Sequence, residues 1–207
     1  MAYRRTPKMQ NRIDAAREQI LGAAHRLVAE TGYSGTGIPD VAKAAGVSTG
    51  SIYVHFPSKT ALFSEVYRRA SRYEIEVFRE VAEAQGTARE RLARMVETFA
   101  RRALAGRKLA WALLVESVNQ QIDAERLSHR EPYRAIIEGV INEGIKAGEF
   151  VSQDSRVTSM CIVGAIVETL VGPLSNALQA DEEGRLVDSL TRVCMRTAGP
   201  INSEPRG

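Results

Sequence analysis

The apolar residues of this chain recur at intervals of three and four along most of its length, which is the period of α-helices that bury one face. The first such stripe spans residues 13–31 and stops at Gly32, a residue that suits the turn after a helix. Two more stripes follow at residues 38–45 and 59–81. The first third of the chain is therefore predicted to hold two long helices with short helical segments between them.

The same period continues through the rest of the chain. Thr87 and Glu90 stand three residues apart before an apolar stripe, a spacing that caps the start of a helix. Asp154 is a further candidate cap, and the pair Gly172-Pro173 is expected to interrupt the helix that follows it. The helices predicted in this part cover residues 87–105, 109–122, 132–148, 155–178 and 181–197.

Residues 44–56 have the pattern of the turn and second helix of a helix-turn-helix. Gly46 supplies the reversal between two short helices, and Ser48 is a natural cap for the second. Ile52 and Phe56 lie four apart and can pack on the preceding helix. The opposite face carries small or hydrogen-bonding side chains that suit base edges and phosphates, namely Thr49, Gly50, Tyr53, Val54 and His55.

The distribution of charge supports contact with nucleic acid at one end of the chain only. The net charge of the whole chain is +3, but residues 1–79 carry 12 Lys/Arg against 7 Asp/Glu, a net of +5. The remaining residues carry 16 against 18, a net of −2. A basic module joined to a slightly acidic one is expected when one end meets phosphate.

Residues 1–12 are basic, contain no acidic residue and show no apolar period, so they are predicted to be a disordered arm. One interpretation is a solubilising tail. The other, favoured because the arm adjoins the helix-turn-helix, is that Arg4, Arg5 and Lys8 contact the DNA backbone or a minor groove.

Residues 15–70 resemble the DNA-binding domain of the TetR (tetracycline-repressor-like) family of transcriptional regulators. The resemblance covers about a quarter of the chain and rests on an ordered set of motifs: Thr31-Gly32-Tyr33, Asp40-Val41-Ala42, Ala45-Gly46-Val47-Ser48, Gly50-Ser51-Ile52-Tyr53, His55-Phe56, and Lys59 with Leu62. It implies an all-α homodimer with an N-terminal operator-binding domain and a C-terminal domain for dimerisation and ligand sensing.

The resemblance also implies roles for individual residues. Thr49 and Val54 match positions that face the major groove, while Tyr53, His55 and Lys59 match positions that contact phosphates. The remaining candidate DNA contacts at the module are Thr36, Gly37, Ser48 and Gly50. Gly37 departs from the family, since many members have Ser or Thr there, and Pro39 replaces a more usual polar residue.

In the second half of the chain the resemblance implies a ligand cavity and a dimer interface formed by the last two long helices. The residues predicted for the cavity are Met95, Phe99, Trp111, Leu114, Glu116, Tyr133, Ile137, Met160 and Val163. The alternative for each of them is ordinary core packing. As a set, they suit a greasy ligand.

Nothing in the sequence predicts a cofactor, a metal or an active site. His25, His55 and His129 are widely separated, and the motifs of zinc sites and hydrolases are missing. Cys161 and Cys194 are interpreted as reduced core thiols of a cytoplasmic protein. The longest apolar run, residues 160–167, is too short to span a membrane, and no signal peptide is expected.

The favoured hypothesis is a repressor that a small apolar or amphipathic ligand releases from a palindromic DNA operator. Two alternatives are an architectural DNA-binding protein that senses nothing and a helical cytosolic enzyme or carrier. The predicted organisation is an arm at residues 1–12, a DNA-binding domain at 13–74 with its helix-turn-helix at 37–56, a C-terminal domain at 75–200 and a frayed tail at 201–207.

Overall fold

In the computed structural model, residues 7–117 and 120–199 are described, and all regular structure among them is helical. The helices are α1 (Pro7–Thr31), α2 (Ile38–Ala45), α3 (Thr49–His55), α4 (Lys59–Glu83), α5 (Ala88–Ala105), α6 (Arg107–Leu114), α7 (Gln120–Ser128), α8 (Arg130–Lys146), α9 (Ser155–Ser175) and α10 (Ala180–Thr197). The predicted all-α class is confirmed.

The N-terminal core forms where the apolar stripe of α1 meets α2, α3 and the first turns of α4. Its fully buried side chains include Ile20, Val41, Ile52 and Leu62. Two residues of the second half of the chain complete this core, Ala112 of α6 and Ile122 of α7. The DNA-binding module and the C-terminal helices therefore share a continuous apolar contact.

The C-terminal core is built by α5, α8, α9 and α10 around the far end of α4. Leu92, Ile141, Ile162 and Leu170 are fully buried there. Phe78 of α4 belongs to this core, whereas Leu62 at the start of the same helix belongs to the N-terminal one. Helix α4 is thus one rigid rod of 25 residues that joins both cores.

Several predicted helix bounds are wrong for local reasons. Helix α1 begins at Pro7, so residues 7–12 are not a disordered arm. Helix α6 ends at Leu114 and α7 starts anew at Gln120, where one helix over residues 109–122 was predicted. The last helix is capped by Gln179 with Glu182, whose carboxylate accepts from the Gln179 N–H at 2.9 Å, and not by Asp181.

Helix α9 contains Pro173 in its last turn and continues to Ser175, so the predicted interruption is absent. It is also long and apolar enough to cross a bilayer by length and composition, which the sequence prediction missed. One face of α9 packs in the C-terminal core through Ile162, Ile166 and Leu170. A helix in a protein core can have the same length and apolar composition as a membrane-spanning one.

The two cysteines differ in environment. Cys194 is buried on α10, and burial raises the pKa of its thiol to about 11. Cys161 lies exposed on α9, which contradicts its prediction as a core thiol. Tyr73 lies within the predicted apolar stripe of residues 59–81, but it is 58% exposed, and the Arg102 guanidinium lies 5.4 Å from its ring centroid.

Candidate DNA-binding surface and ligand cavity

The turn between α2 and α3 is closed by Gly46, whose φ of 64° and ψ of 31° place it in the left-handed region. Its N–H and that of Val47 bond back to carbonyls in the last turn of α2, the latter to Ala42 at 3.0 Å. The Ser48 hydroxyl then accepts from the Ser51 N–H at 3.1 Å and starts α3. These bonds fix the angle between the two short helices.

Helix α3 buries Ile52 completely and turns its other face to solvent. Val54 is 82% exposed and Tyr53 52% exposed, a large apolar exposure for so short a helix. Thr49 and Gly50 are exposed beside them. Because no side chain among the described residues covers this face, it is open to a DNA groove, and the contacts predicted for Thr49, Gly50, Tyr53 and Val54 have the required access.

Lys59 begins α4 directly after its cap Ser58, whose hydroxyl accepts from the Ala61 N–H at 3.1 Å. The Lys59 ammonium lies 4.9 Å from the ring centroid of Tyr33 and 5.4 Å from that of Phe63. The two rings meet edge to face at 4.6 Å. Cation–π contacts hold the ammonium at the N-terminus of α4, where a phosphate would be stabilised by it.

Thr36 cannot serve as a DNA contact in this structure, because it is 1% exposed and its hydroxyl donates to the Gly32 carbonyl at 2.7 Å. Gly37 lacks the hydroxyl of a usual cap, and the Asp40 carboxylate compensates by accepting from the Gly37 N–H at 3.1 Å. Lys8 is exposed in the first turn of α1. Arg4, Arg5 and the predicted tail lie outside the described residues.

A cavity of about 290 Å³ lies between the C-terminal helices and α4. Tyr67, Ser71, Glu74 and Phe78 line it from one face of α4. Since an α-helix rises 1.5 Å per residue, this stripe extends about 16 Å. The opposite walls come from α5, α6, α8 and α9 and are mostly apolar, so the cavity suits an elongated greasy molecule.

One end of the cavity is aromatic. Phe78, Phe99 and Tyr133 meet edge to face, with ring centroids 5.1 to 6.1 Å apart. Burial raises the pKa of the Tyr133 hydroxyl, and the nearby Glu74 carboxylate adds to the shift. The phenol therefore stays protonated and can donate a hydrogen bond into the cavity.

The polar side of the cavity carries three arginines. Arg102 binds the Glu74 carboxylate through Nε at 2.9 Å and Nη2 at 2.7 Å. Arg126 donates to the Leu113 carbonyl, the Glu116 carbonyl and Asp123, and so holds the C-terminal end of α6. Arg130 follows His129, whose ring stacks edge to face on Tyr67 at 5.1 Å.

Five of the residues predicted for the cavity do line it, namely Phe99, Leu114, Tyr133, Ile137 and Val163. Met95 is fully buried in the C-terminal core, and Trp111 packs against that core without reaching the cavity lining. Met160 is exposed on the outer face of α9. Whether the five lining residues contact a ligand stays a prediction.

Glu116 also lies outside the cavity, because α6 ends at Leu114 and the chain turns toward the DNA-binding module. Its carboxylate accepts from the Tyr33 N–H at 3.1 Å and from the Ser34 N–H at 2.9 Å. The Ser34 hydroxyl donates to the same carboxylate. We call this contact the Glu116 clamp; it ties the end of a cavity wall to the loop between α1 and α2.

Sequence reasoning missed the polar lining from α4 and α5, Tyr67, Ser71, Glu74 and Arg102. A signal was present, since residues 67, 71, 74 and 78 repeat at intervals of four, three and four on one helical face.

Comparison with known proteins agrees with this geometry. Residues 20–66 match the model of "Bacterial regulatory proteins, tetR family", and residues 85–170 match "Tetracyclin repressor-like, C-terminal domain". The fatty acid metabolism regulator protein of Bacillus subtilis is 28% identical over 166 residues, 79% of this chain and 86% of its own length. The transcriptional repressor KstR2 of Rhodococcus jostii is 30% identical over 138 residues, 65% of this chain and 67% of its own.

Solved structures give the same result. The regulator FadR from Bacillus subtilis, in complex with stearoyl-CoA, superposes with a TM-score of 0.74 at 27% identity, over 87% of this chain and 98% of that one. FadR from Bacillus halodurans superposes with a TM-score of 0.74 at 22% identity, over 93% of this chain and 96% of that one, and supports the fold. These relatives are transcriptional regulators and not enzymes. The chain is therefore a transcriptional regulator, and it belongs to the TetR family.

Proposed function

We propose that this chain is a repressor that binds a palindromic operator as a homodimer and leaves it when a long-chain acyl thioester fills the cavity between α4 and the C-terminal helices. The observation that carries the proposal is the shape of this cavity, hereafter the effector cavity. It follows α4 for about 16 Å, with apolar walls and a polar side.

The chemistry of the lining supports an acyl chain with a polar, anionic head. The aromatic end around Phe78 and Phe99 offers no charge to a ligand, so it suits the hydrocarbon tail. Arg102 and Arg130 supply cations elsewhere in the lining. A relative of similar fold binds stearoyl-CoA, which has this combination of tail and head.

The size of the effector cavity supports a coupling between ligand and DNA. Its volume of about 290 Å³ lies at the lower end of ligand pockets, roughly 300–1,000 Å³. A long ligand must therefore push its walls apart, and two of these walls lead to the DNA-binding module. Helix α4 starts at Lys59, and α6 leads to the Glu116 clamp.

A ligand that prefers the widened cavity would shift the population of head positions. In a dimer, two recognition helices must be spaced to match successive major grooves, about 34–36 Å apart. A change in their separation weakens both half-site contacts at once. This mechanism needs no direct contact between the effector and α3.

The homodimer is proposed to form through α9 and α10. Helix α9 is apolar on both faces, and one face is unburied in the single chain. Its exposed stripe includes Val157, Met160, Gly164 and Gly172, at the spacing of one helical face, with Glu168 as the one charged residue between the two glycines. A second copy that covers this stripe would explain why the helix keeps a largely apolar outer face.

The test is fluorescence-anisotropy binding to the DNA flanking the gene of this protein, with scrambled DNA as control, at two salt concentrations and with or without stearoyl-CoA. We expect tight binding to one palindromic segment and a loss of affinity with the ligand of about 5–150-fold. Equal, steeply salt-dependent binding to both DNAs would instead support the architectural alternative. As a regulator of transcription, the protein is proposed to work in the cytoplasm.

A further inference from the structure

A second cavity of about 490 Å³ opens between α1 and α4, beside the end of α5 and the start of α6. It shares three lining residues with the effector cavity, namely Glu74, Arg102 and Leu109. The ion pair between Glu74 and Arg102 therefore forms a partition that faces both spaces. A ligand longer than the effector cavity can leave it along this edge.

The second cavity is rich in guanidinium donors. Arg69 uses Nη1 on Glu18, which leaves four of its five N–H groups for a ligand. Arg102 bonds Glu74 through two of its five N–H groups and lies 5.4 Å from the ring centroid of Tyr73, which leaves three N–H groups for a ligand. A phosphate could bind both arginines without breaking either ion pair, because one guanidinium can donate hydrogen bonds to more than one anion.

His25 lies among the charged groups of this space. His25 lines the second cavity, and its pKa is lowered first by burial and then by the charges of Arg69 and Arg26. Glu18 and Glu74 are the acidic groups held by the lining arginines. The lining of the second cavity thus holds two guanidinium groups, Arg69 and Arg102, against one carboxylate, Glu74, and carries a net positive charge.

Building on the proposed function, we propose that the second cavity binds the phosphate-bearing head of the acyl thioester whose tail fills the effector cavity. The head would accept hydrogen bonds from Arg69 and Arg102. It would also touch α1, a helix of the DNA-binding module, through the edge that carries Gly22 and His25.

The other cations of the effector cavity offer a competing exit. Arg126 is committed, since its Nε, Nη1 and Nη2 all donate to groups of α6, α7 and the segment between them. Arg130 is the remaining cation, on the side of α7 and α8. A head that left on that side would depend on Arg130 and not on Arg69, which makes the two routes separable by experiment.

The experiment compares Arg69→Gln with Arg72→Gln, a matched control on the same helix. Both arginines are exposed and make only surface ion pairs, so neither change should affect folding. Arg72 does not line the second cavity. Affinities of the full-length protein for stearoyl-CoA, stearate and free coenzyme A are measured by calorimetry.

We expect Arg69→Gln to weaken stearoyl-CoA binding about tenfold and to leave stearate within about twofold, because a charged hydrogen bond to phosphate is lost. Arg72→Gln should change neither. Free coenzyme A should bind weakly, and that binding should also depend on Arg69. An equal loss for stearate and stearoyl-CoA, or a loss with Arg130→Gln in place of Arg69→Gln, would overturn the proposal.

A second variant tests the space itself. A Cβ at Gly22 would meet only Arg26 Nη1 at 3.7 Å, an ordinary contact, so Gly22→Leu fits and fills part of the second cavity. This change should weaken the binding of stearoyl-CoA and leave the binding of stearate unchanged. If the wild-type protein binds neither ligand, the proposed function fails; if it binds both equally well, only the head-group site fails.

Discussion

The carboxylate of Glu116 accepts the backbone N–H of Ser34 at 2.9 Å, across 82 residues of sequence. Together with the Tyr33 N–H, this bond fastens the loop that follows α1 to the segment that follows α6. Tyr33 in turn packs against Phe63 and carries the Lys59 ammonium over its ring. A short series of contacts therefore connects a wall of the effector cavity to the DNA-binding face.

Glu116→Gln should uncouple the two sites. The amide keeps the shape of the side chain but has one acceptor oxygen where the carboxylate has two, so either the Tyr33 or the Ser34 N–H loses its acceptor. The free energy of unfolding should therefore fall by about 1–3 kcal/mol. We expect ligand affinity to stay within a few-fold, while the ligand-induced loss of operator affinity shrinks at least threefold. Calorimetry and anisotropy on the same preparation measure both quantities.

Glu131→Gln is the matched control for this change, because Glu131 pairs only with Arg134 on its own helix. It should leave the coupling intact. A Glu116→Gln protein that responds to the ligand as the wild type does would show that α4 alone carries the signal.

Val54 and Tyr53 should affect DNA binding in different ways. Val54 is 82% exposed on α3, and we expect it to meet a thymine methyl in the major groove, so Val54→Ala should weaken the preference for thymine at one position by up to about 1 kcal/mol. Tyr53→Ala should weaken binding to every sequence alike, because phosphate contacts carry no sequence information. Binding to a library of single-base operator variants distinguishes them, and a uniform loss for Val54→Ala would contradict its assignment.

Val167→Phe should close the effector cavity from the α9 side. Val167 lines the cavity and is only partly buried, so a larger ring can occupy the space without displacing core residues. We expect the dissociation constant for stearoyl-CoA to rise more than tenfold and operator affinity to stay unchanged. Retained ligand binding, with an unaltered melting temperature, would place the tail elsewhere.

Gly164→Arg should produce a folded monomer. A Cβ at Gly164 would meet nothing within 4 Å in the single chain, and replacing a helical glycine favours the helix by up to about 1 kcal/mol. If a second copy covers this part of α9, the arginine prevents its approach. Sedimentation velocity measures the mass, and circular dichroism checks the fold.

Gly139→Arg on α8 is the control, since Gly139 is exposed and has equally open space. It should sediment like the wild type. A dimeric Gly164→Arg protein would move the proposed interface away from the exposed stripe of α9.

His25 should make the protein less stable in mild acid. Its pKa in the folded chain is below 6.5, so the unfolded chain binds a proton more readily. Stability should therefore be complete above about pH 6.5 and fall as the pH drops below it toward the lowered pKa. Urea unfolding at pH 7.5 and 5.5 should show a smaller loss for His25→Gln, and identical losses would contradict this role.

The sequence predicted the DNA-binding module well, because each of its turns depends on neighbouring residues. Gly46 and Ser48 act as predicted, since a left-handed turn and a cap are local features. The cavity was harder to predict. Glu116 was predicted to line it as part of one apolar helix over residues 109–122, but α6 ends at Leu114 and the side chain turns away.

Longer-range features carried no local signal. Thr36 looks like a surface hydroxyl in sequence, yet the packing of α1 on the loop buries it completely. Glu74 looks like an ordinary polar position of α4. It separates the two cavities only because Arg102 of α5 forms an ion pair with it. Such pairings depend on how the helices are stacked, which helical periodicity does not specify.

The presence of Ala112 and Ile122 in the N-terminal core sets a rule for building hybrid sensors from this protein. If the N-terminal domain were fused within α4 to the C-terminal domain of a relative, Ala112 and Ile122 would be lost from the N-terminal core. Two side chains of the relative would then have to fill the space that they leave. Exchange of sensory parts with a relative should therefore keep α6 and α7 of this chain, or bring matching partners for them. The unit that can be transferred is defined by this shared packing and is discontinuous in sequence.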